Sequence, residues 1–121
     1  MREMLVPFTF TLEAQAAANG AVEFETLCGF TLVGVSLCAA ALGGSPTAFD
    51  IDIQDDGSDI VTAVAANSAG TSGTWKTPTF GGTETPVYVA AGSAVEIDVN
   101  FAGGSSPTAD FCVILWALVD A

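Results

Sequence analysis

The chain has 121 residues, half of them hydrophobic and only 13% charged, with fourteen acids against two bases for a formal net charge of −12. This length supports a single domain burying about two thirds of its unfolded surface, and the apolar content excludes a disordered or fibrous chain. With Arg2 and Lys76 as its only bases and no histidine, the chain has no basic cluster for nucleic-acid phosphates or anionic lipid, and it lacks the commonest general base and metal ligand.

The opening stretch MLVPFTFTLEAQ alternates Val6, Phe8, Phe10 and Leu12 with Pro7, Thr9, Thr11 and Glu13. That is the pattern of a half-buried strand, and Pro7, which has no N–H for a ladder, places it at a sheet edge. In AQAAANGAVEFETL, Asn19-Gly20 signals a turn, and Val22 and Phe24 form the apolar side of a second short strand. The alanines before it suit a strand or a single helical turn equally. Residues 1–27 are read as an N-terminal arm with edge strands, and residues 28–121 as the sandwich domain that follows.

CGFTLVGVSLCAAALGG, residues 28–44, has two rival readings. Gly29-Phe30-Thr31-Leu32-Val33 resembles the start of a type IV pilin helix. However, Gly34 stands where such a helix carries an acid, and the run breaks at Gly43-Gly44-Ser45-Pro46. It is also short for a membrane span of ~20 residues. Glu3, Glu13, Glu23 and Glu25 precede it, the wrong polarity for a secretory signal. The β-branched Thr31, Val33 and Val35 favour a strand over 28–41 instead. Strict alternation puts Phe30, Leu32, Gly34, Ser36 and Cys38 on one face and Thr31, Val33, Val35, Leu37 and Ala39 on the other. Both faces are mainly apolar, so both need cover.

Next, Phe49, Ile51 and Ile53 alternate with Asp50, Asp52 and Gln54, and Asp56-Gly57 is a strong two-residue hairpin signal, with a return strand over 59–65. Residues 67–86 are dense in Gly, Thr and Ser and read as a long loop, in which Trp75, Lys76 and Phe80 are candidate ligand contacts. A short strand at 87–90 and a turn at 91–93 lead to Val95, Ile97, Val99 and Phe101 alternating with Glu96, Asp98 and Asn100. A turn at 103–107 precedes a last strand over 111–119, apolar on both faces, on which Trp116 and Leu118 share a side. Strands at this spacing, with turns between them and no helical periodicity, predict an all-β, antiparallel, jelly-roll-like β-sandwich.

Few residues suggest chemistry. Asp50, Asp52, Asp55, Asp56 and Asp59 could offer oxygens to calcium, but Ala63 stands where an EF-hand loop starting at Asp52 needs its bidentate acid, so a solvated strand face is the plainer reading. Asp50 and Asp52 are about 7 Å apart on one face, within range of a glycosidase pair, as any exposed D-x-D strand would be. Cys28, Cys38 and Cys112 show no C-x-x-C spacing. The first two would lie about 33 Å apart along one strand, too far to bridge, so all three read as buried apolar residues of a protein made in a reducing compartment. No catalytic residue, metal site or cofactor is predicted.

In order, an apolar strand, a Pro-containing turn, FDIDIQDDGSDIVTA, a Gly/Ser/Thr-rich loop, VAAGSAVEIDVN and TADFCVILWALV resemble a small β-sandwich of tailed-phage virion proteins. That family includes head decoration (cement) proteins, head fibres and tail-fibre modules, and the match covers about residues 29–120. The resemblance implies a non-enzymatic capsid decoration protein, made in the host cytoplasm and placed on the outer capsid surface. Its expected partners are the major capsid protein and copies of itself, as a homotrimer, with no nucleic acid, membrane or cofactor. Val6, Phe8, Phe10, Phe30, Leu32, Trp116 and Leu118 are the expected interface residues. Two alternatives stand beside it: a receptor- or carbohydrate-binding module of a head or tail fibre, acting through residues 67–86, and a cellular β-sandwich adhesin or pilus-like subunit.

Overall fold

A computed structural model of the chain describes residues 3–68 and 86–120. These form eight strands: β1 (Glu3–Gln15), β2 (Ala18–Glu25), β3 (Phe30–Gly43), β4 (Ala48–Asp55), β5 (Ser58–Ser68), β6 (Val87–Val89), β7 (Ala94–Ala102) and β8 (Thr108–Asp120). Sheet I has the order β1-β8-β3-β6 and sheet II the order β2-β7-β4-β5. Every pairing is antiparallel. The chain crosses between sheets at every connection except the β4–β5 hairpin, which gives eight strands in the two-sheet wiring of a jelly roll. The predicted β-sandwich is therefore the fold.

The core follows from period-two alternation on the long strands. Phe111, Val113, Leu115 and Ala117 of β8 face Phe49, Ile51 and Ile53 of β4 and Val95, Ile97 and Val99 of β7, all fully buried. Each large side chain so buried contributes about 1.5–3 kcal/mol. Phe49 is the aromatic centre, its ring 5.2 Å from that of Phe101 and 5.1 Å from that of Phe111.

β3 does not keep strict alternation. Its register against β8 slips between Leu32 and Gly34, so that Leu32 faces Ala117 and Gly34 faces Trp116, leaving Val33 as the extra residue of a bulge. A bulge of this kind sets two successive side chains on one side of the strand. Phe30 and Leu32 point inward before it; Val35, Leu37 and Ala39 point inward after it. The faces expected from the sequence thus exchange at residue 33: Gly34, Ser36 and Cys38 lie on the outer side and their neighbours fill the core.

The Asp56-Gly57 hairpin forms as predicted. Both residues have positive φ, 49° and 84°, as a two-residue type I′ turn requires. The Asp56 carboxylate accepts the Ala94 N–H at 2.9 Å, and the Asp56 N–H donates to the Ala94 carbonyl at 2.9 Å, which ties this turn to the start of β7. Asn19-Gly20 behaves otherwise. It lies inside β2, where the register against β7 shifts between Ala18 and Val22. The Gly20 N–H donates to Asp98 Oδ1 at 2.7 Å. The turn read from that dipeptide is a bulge. Elsewhere the β3–β4 and β7–β8 turns sit against each other, with Ser105 N–H donating to the Gly44 carbonyl at 2.9 Å. Gly44 and Gly104 both have positive φ there, and a Cβ on Gly104 would come within 2.6 Å of the Gly44 oxygen.

Residues 3–25 are built into the sandwich as edge strands. β1 pairs with β8 from Glu3 to Gln15 and forms one edge of sheet I, while β2 pairs with β7 at one edge of sheet II. Phe8, Phe10, Leu12, Val22 and Phe24 pack against the core.

Candidate docking face

The two sheets cover each other on their inner sides, and their outer sides differ sharply. On sheet I the register aligns Leu5, Pro7, Thr9 and Thr11 of β1 with Leu118, Trp116, Ile114 and Cys112 of β8. β3 continues the rows with Thr31, Gly34, Ser36 and Cys38, and Tyr88 of β6 lies beyond Thr31. Between the rows of Glu3 and Glu13, and among the described residues, this face carries no carboxylate or cationic side chain apart from Asp110 at one end, whose carboxylate accepts the Ala14 N–H at 2.6 Å. At ~3.4 Å per residue and ~4.8 Å per strand, the uncharged band over β1, β8 and β3 measures roughly 24 by 14 Å, and the short β6 widens it only beside Thr31. That is roughly 350 Å² of sheet, in which Leu5, Pro7, Ile114, Trp116 and Leu118 are apolar and Thr9, Thr11, Thr31 and Ser36 carry hydroxyls.

Trp116 organises the centre of this face. Its indole N–H donates to Ser36 Oγ at 3.0 Å, which satisfies its one donor. Its ring lies against Gly34, where a Cβ would stand 3.6 Å from the indole. The bulge at Val33 brings Gly34 and Ser36 beneath the tryptophan, so the ring lies down on the sheet. Leu5 and Tyr88, each more than half exposed, flank the band.

The outer side of sheet II is acidic. Glu23 stands opposite Glu96, Asp52 opposite Asp98, and Asp50 opposite Asn100. The Asn100 amide donates at 3.0 Å both to Asp50 Oδ1 and to Asp52 Oδ2, and Gln54 donates to Asp59 at 3.0 Å. The Glu96 carboxyl titrates above its ordinary range, chiefly through its hydrogen bond with Asp98, then through desolvation and the charges of Asp98 and Glu23. Asn100 thus bridges Asp50 and Asp52, and among the described residues no three Cys, Asp or Glu side chains converge as metal ligands. Arg2 and Lys76, the only bases of the chain, lie outside the described residues, so no described base offsets this face.

A third feature is an open cleft of about 430 Å³ where β1 and β2 part, lined by Phe8, Phe10, Phe24, Leu27 and Cys28. Phe24 contacts both Phe8 and Phe10, with ring centroids 6.1 and 5.5 Å apart, and Leu27 is 94% exposed at its rim.

The interface residues expected from the sequence fall into three groups. Trp116 and Leu118 lie on the outer face of sheet I. Val6, Phe8 and Phe10 point to the inner side at the β1 edge, half-buried. Phe30 and Leu32 are 1% exposed in the core, and no partner reaches them without opening the sandwich. Trp75, Lys76 and Phe80 lie outside the described residues. Leu5, Ile114 and Tyr88 join the face without having been singled out, because only the pairing register places them beside Trp116. Among the described residues no helix is long and apolar enough to cross a membrane. Compared with protein-family models, curated proteins and solved structures, the chain finds no match in any of the three.

Proposed function

We propose that the chain is a structural virion protein, a capsid decoration protein that lies on the outer shell with the outer side of sheet I and turns sheet II to solvent. The observation that supports this reading is the contrast between the two outer sides, one an uncharged band around Trp116 and the other a field of carboxylates. Packed sheets are ~10 Å apart, so the carboxylates of sheet II stand on the far side of the core from any surface on which sheet I rests. The jelly-roll wiring is shared by viral capsid domains but also by lectins and cupins, so the fold adds weight only by analogy.

Binding of this kind stabilises the lattice state it fits, by mass action, without chemistry. The test is copy number in purified source particles, by quantitative mass spectrometry against the major shell protein. Hundreds of copies in fixed ratio to that protein support decoration. A handful would move the chain to a fibre, and none would end the virion reading. Ile114→Asp, which sets a charge at the centre of the band, is expected to release the protein from particles while leaving it folded.

A further inference from the structure

The register of sheet I brings Cys38 of β3 directly opposite Cys112 of β8. Leu37 and Ala39 on one strand, and Phe111 and Val113 on the other, are buried in the core, so both thiols stand on the outer side of the sheet. Facing residues of an antiparallel pair have Cα atoms ~4.5 or ~5.5 Å apart, according to which pairing type they belong to. A disulfide takes Cα separations of ~4.4–6.8 Å, so either type admits the bond. Both cysteines are free thiols and half-buried. Cys28, also free, is exposed at the rim of the β1–β2 cleft, away from this pair. Among the described residues no third metal-ligating side chain joins the two sulfurs, which favours dithiol chemistry over metal binding at this position.

We propose that Cys38 and Cys112 form a site of reversible disulfide exchange across the centre of sheet I. The oxidant is a low-molecular-weight disulfide such as oxidised glutathione. One protein thiolate attacks the S–S bond of the oxidant, forming a mixed disulfide and releasing one glutathione thiolate. The second protein thiolate attacks the protein sulfur of that mixed disulfide, releasing the other. In sum, two protein thiols become one disulfide, the oxidant is reduced to two glutathione thiols, and the two protons leaving the cysteines end on those thiols. The product joins the two central strands of sheet I and closes the chain between residues 38 and 112, restricting the unfolded state without displacing a core side chain. The site does not depend on the virion reading, since it follows from strand register alone.

The experiment equilibrates the full chain across a series of reduced-to-oxidised glutathione ratios. Remaining thiols are counted with a chromogenic thiol reagent, and the linkage is located by peptide mass spectrometry. The expected result is loss of two of the three thiols, a 38–112 linkage within one chain, and a thermal midpoint that rises on oxidation and reverts with reductant. Cys28→Ser, with two thiols in all, loses both and retains the linkage and the shift. Cys112→Ser and the more apolar Cys112→Ala abolish the linkage and the redox-dependent shift. Persistence of three thiols in oxidising buffer with the protein folded would overturn the proposal. So would a linkage through Cys28 or between chains.

Discussion

Removing Val33 tests the central irregularity of the fold. Its deletion joins Leu32 directly to Gly34 and turns β3 into a regular strand in which Phe30, Leu32, Val35, Leu37 and Ala39 still face inward, because the bulge residue is the one the alternation does not use. The loss is confined to one half-buried side chain and the local twist of the bulge, about 1–2 kcal/mol. Deleting Leu37 makes the matching comparison. That removes a fully buried leucine and brings Cys38 and Ala40 to the inward positions held by Leu37 and Ala39, at a cost of about 4 kcal/mol or more on the scale of large-to-small core changes. A domain of this length has about 6–18 kcal/mol of stability in total. Urea unfolding followed by far-UV circular dichroism measures both. With a slope of about 1–3 kcal/mol per molar urea, the second deletion moves the midpoint down by more than about 1 M, and the first by much less. Equal losses in the two variants would show that Val33 is not a spare residue and that the assigned bulge is wrong.

Three further outcomes follow from the same structure. Phe49→Ala opens a cavity between Phe101 and Phe111 and is expected to cost about 3–5 kcal/mol, with Phe49→Leu well below that, in equilibrium unfolding. Gly104→Ala places a methyl group against the Gly44 carbonyl at a positive φ; a cost of about 2 kcal/mol or more is expected, and a neutral result would separate the two turns. Glu96 is held above its ordinary titration range, first by its hydrogen bond with Asp98, so the folded state takes up its proton more readily than the unfolded chain. Its stabilising contribution is full below the ordinary glutamate range and is lost as pH rises through the elevated value. Glu96→Gln is therefore expected to unfold at a higher temperature than the wild type near neutrality and to show a flatter pH dependence above the glutamate range.

What sequence reading could recover depended on whether the signal was local. Asp56-Gly57 was legible because two adjacent residues suffice to specify a type I′ turn. The strands β4 and β7 were legible because their apolar residues recur at every second position, and β8 because it is a continuous apolar run that follows a turn. Asn19-Gly20 carries the same kind of dipeptide signal, yet its outcome is set by a distant residue, Asp98, which accepts the Gly20 N–H inside a bulge. The exchange of faces in β3 was hidden for a similar reason. Nothing in Leu32-Val33-Gly34 marks the extra residue, and only the fit against Ala117 and Trp116 of β8 assigns it. With both faces apolar, composition could not say which one entered the core. Alternation wrongly grouped Phe30 and Leu32 with Ser36 and Cys38. The outer face of sheet I was half visible: Trp116 and Leu118 were read correctly as sharing a side, but their neighbours Leu5, Ile114 and Tyr88 come from three strands. The Cys38–Cys112 juxtaposition spans most of the chain and exists only once β3 and β8 are in register.

The pairing of Glu3 with Asp120 at the end of β1 and β8 also governs how the molecule answers to force. Hydrogen bonds of an antiparallel pair run perpendicular to the strands, and here both ends of the described chain leave from the same end of that pair. Tension drawn between them loads the β1–β8 ladder one rung at a time, as a zipper, and peels the outermost strand of sheet I first. Tension spread over the broad side of sheet I is instead carried by Trp116, Ile114 and their neighbours together. A molecule held by its face is mechanically strong where one held by its ends is weak.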